Sequence, residues 1–400
     1  MHGVPRIVRK ARSRSLTVVC VALSLAVVTG VPAGAGEEGR AIAWSIVASP
    51  NEEGSNWLRD VDASAGDSAW SVGYYIGSEG INETLAERWD GSTWTLVESP
   101  DAGENGSQLY GVAAVSKSEA WAVGYAAGDP STYTSSTVVE HWTGSAWSLV
   151  PSPNPSKDPL YGENQLYDVR AFAPNDVWAA GWQWTQIGSA PLVERWDGRS
   201  WKVSPTPNTG FKELQALDGT SSSDIWAVGH AFTFSAGNQS LIMHWDGSSW
   251  ATVPTPKLPF DNFLNDVSVV SPTDAWAVGY SQTDALNHQP RFLHWNGSAW
   301  SVIPSPHLSS TYNFLQAIVA VSGNRVWAAG HRALNGHVVT FVERWDGTRW
   351  RIEPTPNLPA GGNYLYGLNV DPGGGLWSAG HFYPEDFGGF RTLIEHRSLG

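Results

Sequence analysis

A tryptophan-centred motif recurs seven times along this chain of 400 residues and restricts its fold more than any other feature. Each copy approximates L-x-x-V-x-x-x-S-x-x-D-x-W-A-V-G, followed after a variable stretch by V-E-R/H-W-D-G-S-S-W-x-x-V-P-S-P. Successive copies are 48 to 57 residues apart. The central tryptophans are Trp70, Trp121, Trp178, Trp226, Trp276, Trp327 and Trp377. A period of this length indicates stacked supersecondary units rather than separate domains.

Each repeat contains four short strand-like segments. In the first repeat they are Leu58–Ala63, Ala69–Tyr74, Leu85–Trp89 and Trp94–Val97. Asp90-Gly91 between the last two is a strong hairpin signal, and Pro100 suits an outer edge strand. Four antiparallel strands at a period near 50 residues predict a β-propeller, and the lack of helical periodicity excludes a helical solenoid.

The two ends of the chain complement each other. The last repeat stops after residues 394–397 without its final strand, and Trp44–Pro50 supplies that missing segment. The sequence therefore predicts an all-β, seven-bladed β-propeller of four-stranded antiparallel blades, whose last blade is completed by the N-terminal strand. The predicted blades are 58–108, 109–165, 166–213, 214–263, 264–314, 315–364, and 365–400 closed by 41–57.

The first 35 residues have the layout of a secretory signal peptide. Five basic residues precede an apolar run from Leu16 to Val28, and the small-residue stretch Ala33-Gly34-Ala35 follows. We expect cleavage near Ala35 and a secreted, extracellular propeller over 36–400, the alternative being an uncleaved N-terminal anchor. The only cysteine, Cys20, lies in the apolar run, so the processed chain would have no thiol, disulfide or cysteine metal site.

The charge of the processed chain excludes several partners. Without the five basic residues of the leader, 19 basic and 38 acidic residues remain, a net charge of −19. Such a surface repels nucleic acid and anionic membranes. We therefore expect no nucleic-acid ligand, no membrane insertion after cleavage, no cofactor and a monomeric protein.

Loop lengths distinguish the two faces of the predicted propeller. Trp70 is nine positions after Val61, and Trp94 is five positions after Trp89; both intervals are the same in every complete repeat. The second-to-third-strand interval varies from 18 to 21 residues, and the interval to the next repeat varies from 13 to 19. Because strands alternate in direction, both variable loops emerge on one face, where we expect the binding site, around the mouth of the central channel.

Residues repeated in every blade are expected to be structural. Twenty of the 23 tryptophans occupy three repeat positions, which indicates packing between blades. A basic residue precedes the third-strand tryptophan position, an acid often precedes that residue, and another acid leads the second strand. We interpret these charges as structural polar pairs. They are Arg88, His141, Arg195, His244, His294, Arg344 and His396, with Glu87, Glu140, Glu194, Glu343 and Glu395, and Asp67, Glu119, Asp176, Asp224 and Asp274.

Aromatic and histidine residues form a second recurring set on the variable face. They follow the second-strand glycine or flank the first-strand leucine. The candidate ligand-binding residues are Trp57, Tyr74, Tyr110, Tyr125, Tyr167, Trp182, Trp184, His230, Tyr280, His331, Tyr366 and His381. With Asn56, Asn164, Asn262, Asn313 and Asn363 just before the leucines, they suit stacking and hydrogen bonding to sugar rings. Packing around the channel mouth is the alternative, and the asparagines would hold Ca²⁺ only weakly.

The D-x-W-A-V-G and R-W-D-G-x-x-W segments resemble those of the tectonin, kelch and Asp-box families of β-propellers, over nearly all of the processed chain. The E-R-W-D-G-x-x-W hairpin, as in Glu87–Trp94, also resembles that of fucose-binding propeller lectins. Those lectins place an arginine in the second strand, where this chain has Trp-Ala-Val-Gly, so their specificity is not carried over.

The enzymatic propellers that this chain resembles use residues that it lacks. Sialidases of the Asp-box class need three clustered arginines, whereas the first strands here offer Arg59 and Arg170. Galactose-oxidase-like propellers need a cysteine–tyrosine crosslink. The sequence thus predicts a binding module for glycans or extracellular proteins, without a catalytic or metal site. The alternative is an extracellular glycan-acting enzyme, either a glycoside hydrolase or a lyase.

Overall fold

The computed structural model describes residues 43–398, apart from 208–209, 285–286, 307, 309 and 386–387. All regular secondary structure in these residues is β-strand. Within the same ranges no helix is long and apolar enough to cross a membrane. The predicted leader, 1–35, lies outside the described residues.

Each sequence repeat contributes strands at four positions. The first strands are β2 (Asn56–Ala65), β6 (Ser107–Ser116), β10 (Asn164–Ala173), β14 (Lys212–Ser221), β18 (Asp261–Ser271), β22 (Asn313–Ser322) and β26 (Ala360–Val370). The second strands are β3 (Ser68–Ile76), β7 (Glu119–Ala127), β11 (Asp176–Thr185), β15 (Asp224–Thr233), β19 (Asp274–Asp284), β23 (Arg325–Leu334) and β27 (Leu376–Pro384).

The third and fourth strands form the outer part of each repeat. The third strands are β4 (Asn82–Trp89), β8 (Ser135–Trp142), β12 (Gly188–Trp196), β16 (Gly237–Trp245), β20 (Asn287–Trp295), β24 (His337–Trp345) and β28 (Arg391–Arg397). The short fourth strands are β5 (Trp94–Leu96), β9 (Trp147–Leu149), β13 (Trp201–Val203), β17 (Trp250–Thr252), β21 (Trp300–Ile303), β25 (Trp350–Glu353) and the N-terminal β1 (Ser45–Val47).

Pairing within each repeat is antiparallel and follows the chain from first to fourth strand. The described strands form five four-stranded sheets and one eight-stranded sheet. In the larger sheet, the last two repeats are joined by a single parallel pair, Val338 with Gly362. β1 pairs with β28, with Ser45 opposite His396 and Val47 opposite Ile394. The N-terminal segment therefore completes the last repeat, as the truncated final repeat predicts.

The first strands surround a central channel. Each of them contacts the first strands of the two neighbouring repeats, and the series closes where β26 contacts β2. Leu58 and the equivalent leucines are fully buried between sheets. Because side chains alternate along a strand, the residues next to these leucines face the channel instead. This alternation positions the candidate site described below.

Tryptophans fill the interfaces between repeats. Trp70 packs on Trp142 and Trp147 of the following repeat, with both ring centroids 4.8 Å away. Trp121, Trp178, Trp226, Trp276 and Trp377 contact a tryptophan pair in the same way. Between the sixth and seventh repeats, Trp44, just before β1, joins the cluster around Trp327. Each buried indole removes about 150–250 Å² from water, worth several kcal/mol.

The repeated charges only partly form the expected pairs. Third-strand bases bond to second-strand acids in several repeats, as in Arg195 Nε to Asp176 at 2.9 Å. His244 with Asp224 and His294 with Asp274 are equivalent pairs, at 2.7 and 2.8 Å. The first repeat differs, because Arg88 donates to the Lys117 carbonyl and Asp67 pairs with the Lys117 ammonium group.

The glutamates that precede these bases do not join the pairs. Glu87, Glu140, Glu194, Glu343 and Glu395 are fully buried. Neighbouring residues of a strand face opposite sides, so each glutamate points away from the base that follows it. Burial raises the pKa of Glu140 to about 8, despite two hydrogen bonds from Ser99 of the preceding repeat, and raises the pKa of Glu194 to about 9.

Candidate functional site

The residues that follow the first-strand leucines line the channel mouth. They are Arg59, Tyr110, Tyr167, Gln215, Asn265, Gln316 and Tyr366, and they surround a cavity of about 380 Å³. Arg59 and the three tyrosines form an aromatic and cationic part of this wall. Gln215, Asn265 and Gln316, from repeats four to six, form a part that carries amides. The start of each first strand adjoins the variable loops, so the cavity opens on the face expected to bind ligand.

Arg59 lies between tyrosines from three repeats. Its guanidinium carbon is 4.7 Å from the Tyr366 ring centroid and 5.3 Å from those of Tyr74 and Tyr110. One terminal nitrogen donates to the Tyr74 hydroxyl at 2.8 Å. Burial lowers the pKa of Arg59, but the tyrosines raise it by more, so the side chain stays a cation.

Arg59 differs from Arg170, the other arginine facing the channel. Arg170 pairs with Asp218, with Nε 3.1 Å from the carboxylate. Among the residues that the structure describes, no carboxylate forms an ion pair with Arg59, and its buried Nε has no hydrogen-bond partner there. A cation held by aromatic rings with unused donors is therefore the main electrostatic feature of the mouth.

Three aspartates line the deeper side of the same cavity. Asp60, Asp168 and Asp266 each accept hydrogen bonds from the next residue's N–H and from an N–H of the following repeat, at 2.7 to 2.9 Å. Burial, and for Asp60 and Asp266 the repulsion from Asp168, raises the pKa of these carboxyl groups, that of Asp168 to about 7. Their double backbone contacts indicate that they fasten neighbouring repeats together.

A deeper cavity of about 470 Å³ continues the channel beyond these aspartates. Asp62, Asp218 and Arg170 line it together with alanine and valine side chains. Asp62 accepts the Ala114 N–H, and Asp218 accepts the Val269 N–H, again across repeats. These carboxylates are engaged by the backbone, and we call this region the channel interior.

Most of the predicted aromatic ring is packed against itself. Trp57 stacks on Tyr74 at 5.1 Å, and Tyr110 stacks on Tyr125 at 5.6 Å. Tyr366 stacks on His381 at 5.3 Å. A further series of ring contacts, within and between repeats four to six, runs from His230 through Phe263, Tyr280 and Phe314 to His331. The alternative of packing around the mouth therefore describes most of these residues.

Three predicted binding residues are buried. Trp182 donates from Nε1 to the Tyr167 hydroxyl at 3.0 Å, and only 9% of its surface is exposed. Burial lowers the pKa of His331 to about 3 and that of His381 well below its ordinary value. These side chains contact residues that line the mouth, and neighbouring rings cover them. Their role in ligand binding stays a prediction.

The recurring asparagines are loop anchors. Asn56 bonds to the backbone of Glu52 and Gly54, and Asn363 bonds to both the N–H and the carbonyl of Leu358. All five asparagines are buried, and their amide nitrogens donate to backbone carbonyl groups, so they do not face solvent. The Oδ1 atoms of Asn262 and Asn313 have no hydrogen-bond partner among the described residues. Within the described ranges, no group of three or more His, Cys, Asp or Glu side chains is placed to hold a metal ion.

An exposed aromatic surface lies on the variable loops. Tyr133 and Tyr161 stack with centroids 5.8 Å apart and planes 5° apart, and 71% and 48% of their surfaces are exposed. Trp184 lies 6.4 Å from Tyr161 and borders a groove with Lys157 and Gln183. We call Tyr133, Tyr161 and Trp184 the loop-aromatic site. Trp184 was among the predicted residues, whereas the tyrosines lie in loops outside the repeat pattern.

The loop-aromatic site is connected to the channel mouth. Trp182 and Trp184 are two residues apart on β11, so their side chains share a face. Trp182 in turn bonds to Tyr167, which lines the mouth. A row of aromatic side chains therefore extends from the mouth to the exposed tyrosines.

A third aromatic group lies on the fourth repeat. Phe211, Phe232 and Phe234 meet edge to face, with centroids 5.4 to 6.2 Å apart. Phe234 is 89% exposed. These side chains offer edges and apolar surface rather than parallel flat faces.

Comparison with known proteins identifies the fold. No protein-family model matches the chain, and no curated protein is significantly similar to it in sequence. The structure of YCF48 bound to a D1 peptide is similar, with a TM-score of 0.52 and 15% identity, covering 90% of this chain and 99% of that one.

A second solved structure with a similar fold is a PL25 ulvan lyase, a polysaccharide lyase, bound to a GlcA(1-4)Rha3S saccharide. Its TM-score is 0.53 and its identity 10%, and the match covers 89% of this chain and 98% of the lyase. The chain therefore has the fold of β-propeller proteins, which are built from repeated four-stranded blades. At these identities the similarity concerns the fold alone.

Proposed function

We propose that this protein is a secreted, seven-bladed β-propeller that binds an extracellular ligand on its variable-loop face. In this proposal residues 1–35 are removed on export, and the two halves of the eight-stranded sheet act as blades six and seven. Ligand binding by loops on a rigid scaffold is the common use of such an architecture.

The proposed ligand is a glycan, and the loop-aromatic site carries the proposal. Tyr133 and Tyr161 have nearly parallel, exposed rings and lie on two different loops, the first between β7 and β8 and the second between β9 and β10. The Tyr133 N–H donates to the Leu160 carbonyl at 2.8 Å, which ties the two loops together. Flat, pre-positioned aromatic faces suit the apolar faces of sugar rings, and the groove beside Trp184 adds amide and ammonium donors for hydroxyl groups.

A glycan array followed by calorimetry on the bound sugars tests this proposal. Trp184→Ala and Tyr161→Ala should each weaken binding roughly fivefold to tenfold, because an aromatic contact contributes about 1 kcal/mol. The matched control is Leu149→Ala, which removes an exposed apolar side chain from the outer strand β9. It should leave affinity unchanged.

Three results would contradict the glycan proposal: no binding across the array, equal affinity in the Trp184 and Tyr161 variants, or turnover of a bound glycan. Turnover would instead favour the glycan-acting enzyme. The melting temperature of each variant should match that of the wild-type protein, so that weaker binding cannot result from loss of the fold.

An extracellular protein is the second candidate ligand, and the phenylalanine group favours it. Exposed edge-to-face rings such as Phe232 and Phe234 provide an apolar anchor of the kind that protein interfaces bury. One structure of similar fold holds a peptide and the other a saccharide, so this scaffold suits both kinds of ligand. Binding that requires Phe234 but not Trp184 would support the protein candidate.

A further inference from the structure

We propose that the channel mouth binds the carboxylate of an acidic sugar residue, with Arg59 as its cationic partner. This inference rests on the proposed function in that the ligand is a glycan, but it concerns a different set of residues. The charged sugar of the glycan would bind at the channel mouth, and the neighbouring sugars would bind at the loop-aromatic site.

Arg59 has unused hydrogen-bonding capacity. A guanidinium group carries five N–H donors in a planar fork that matches a carboxylate. Arg59 bonds to the hydroxyl groups of Tyr74 and Tyr366, whereas its buried Nε has no partner among the described residues. Contacts with Tyr74, Tyr110 and Tyr366 hold the group before any ligand arrives, which limits the entropy lost on binding.

The positive charge of Arg59 has no anionic partner among the described residues. A cation withdrawn from water without an anionic partner is unfavourable, so proteins usually pair it. The chain provides Asp218 for Arg170 but no described carboxylate in contact with Arg59. An anion that enters the mouth from solvent would complete the missing pair, and charge-assisted bonds of this kind are the strong ones.

The wall of the cavity opposite Arg59 indicates the chemistry of the ligand beyond its carboxylate. Opposite Arg59, the wall of the cavity carries Gln215, Asn265 and Gln316. Amides donate and accept hydrogen bonds, as sugar hydroxyls do. The Asn265 Nδ2 group already donates to the Leu315 carbonyl at 2.8 Å, which fixes that side of the wall. A wall of amide side chains suits a sugar acid, which carries many hydroxyl groups, better than it suits a peptide C-terminus with apolar side chains.

The aspartates below the mouth make the binding depend on pH. Burial raises the pKa of Asp60, Asp168 and Asp266, that of Asp168 to about 7. Their neutral forms do not repel a carboxylate, whereas their ionised forms do. The tyrosines of the wall have raised pKa values and His381 a lowered one, so these groups remain uncharged. An ionised sugar acid should therefore bind more tightly at pH 6 than at pH 8.

The test uses the processed protein and oligogalacturonate, with its uncharged methyl ester as the matched ligand. Oligogalacturonate should bind at least roughly tenfold more tightly than the ester, because bonds to a charged group contribute about 1.5–3 kcal/mol. Arg59→Gln should abolish this preference, and Arg59→Lys should keep part of it. Arg170→Gln, the matched control, should leave it unchanged.

A second measurement separates contact from misfolding. In ¹⁵N-resolved NMR spectra, the Arg59 Nε–H signal should shift on addition of oligogalacturonate and not on addition of its ester. Equal affinities for the two ligands, an unchanged Arg59 signal, or wild-type preference in Arg59→Gln would each overturn the proposal. Binding of a peptide through its free C-terminus, lost on amidation, with no binding of oligogalacturonate, would overturn the sugar assignment.

The outcomes for the two proposals are distinguishable. If neutral glycans bind through Trp184 while the acid and its ester bind equally, the channel-mouth proposal fails and the proposed function stands. If oligogalacturonate binds through Arg59 and Trp184→Ala has no effect on any glycan, the loop-aromatic site fails and the channel-mouth proposal stands.

Discussion

The channel mouth and the channel interior are lined by successive positions of the same first strands, and their charged residues have different partners. In the interior, Arg170 pairs with Asp218, while Asp62 and Asp218 accept N–H groups from neighbouring repeats. At the mouth, Arg59 is surrounded by tyrosines and bonds to the hydroxyl groups of Tyr74 and Tyr366. The arginine of the interior has a carboxylate partner within the fold, whereas the buried Nε of Arg59 has no hydrogen-bond partner among the described residues.

This difference separates structural charges from candidate functional ones. A buried polar group that stabilises a fold has its partners within the fold. A group that lacks them reduces stability and is retained where a ligand supplies the partner. The predictions below test the distinction through stability, in addition to the binding experiments.

The largest loss of stability is expected when the N-terminal strand that completes the last repeat is removed, because the mouth and the interior both depend on the intact fold. Deletion of residues 36–50 removes β1 and Trp44. The Trp44 side chain is 5% exposed and packs in the hydrophobic cluster between the sixth and seventh repeats. Stability should fall by more than about 5 kcal/mol, since loss of a buried tryptophan alone costs about 3–5 kcal/mol. Chemical unfolding and size-exclusion chromatography measure the loss. A deletion ending at residue 42 is the control, and a stable monomer lacking 36–50 would refute closure by the N-terminus.

The next effect concerns an aspartate that fastens two repeats. Asp168→Ala leaves the N–H groups of Val169 and Leu217 without their acceptor. Stability should fall by roughly 2–4 kcal/mol, because each unsatisfied buried donor costs about 1–3 kcal/mol. Asp168→Asn retains one acceptor oxygen and should lose less. Urea unfolding that finds the alanine variant as stable as wild type would show that these contacts are not structural.

A pH effect of intermediate size should follow from the buried carboxyl groups. Glu140, Glu194 and Asp168 have raised pKa values in the folded protein, about 8, 9 and 7, because they are buried. The folded state therefore binds more protons than the unfolded chain above about pH 4, so stability decreases as pH rises from about 4 to 9. Each group contributes a slope of at most about 1.4 kcal/mol per pH unit within its own interval.

Thermal or urea unfolding across this range measures the slope. Glu194→Gln should flatten it up to about pH 9, and Asp168→Asn should flatten it only below about pH 7. Arg59→Gln should leave it unchanged, which separates the mouth from the carboxyl groups. Stability that increases from pH 5 to 9 would contradict the neutral state of these buried acids.

The repeat pattern allowed the fold to be predicted in detail, because hydrophobic alternation and turn residues are local signals. The missing final strand predicted that Trp44–Pro50 completes the last repeat, and β1 does pair with β28. Periodicity also indicated which residues face the channel. It could not show that the Asn56 side chain bonds to the preceding loop, or that Trp182 is covered while Trp184 is half-exposed.

The candidate site was harder to predict because it depends on contacts between repeats. Arg59 is surrounded by tyrosines that are far apart in sequence, and its lack of a carboxylate follows only from three-dimensional neighbours. Tyr133 and Tyr161 lie in loops outside the period, so no repeat position marked them. The sequence signal that could have identified Arg59 is its position after Leu58, where other repeats carry tyrosine or an amide.

The smallest effect on stability is expected at Arg59 itself, and it gives the sharpest contrast between mouth and interior. Arg170→Met breaks the ion pair with Asp218 and should lower stability by up to about 1 kcal/mol, since Arg170 is 44% exposed. Arg59→Met loses the tyrosine contacts, worth about 0.5–1 kcal/mol each, but also removes a cation without an anionic partner. These terms oppose each other, so its melting temperature should equal or exceed that of wild type. If Arg59→Met is instead clearly less stable than Arg170→Met, Arg59 mainly clamps the repeats together, and its unused donors are incidental to that structural role.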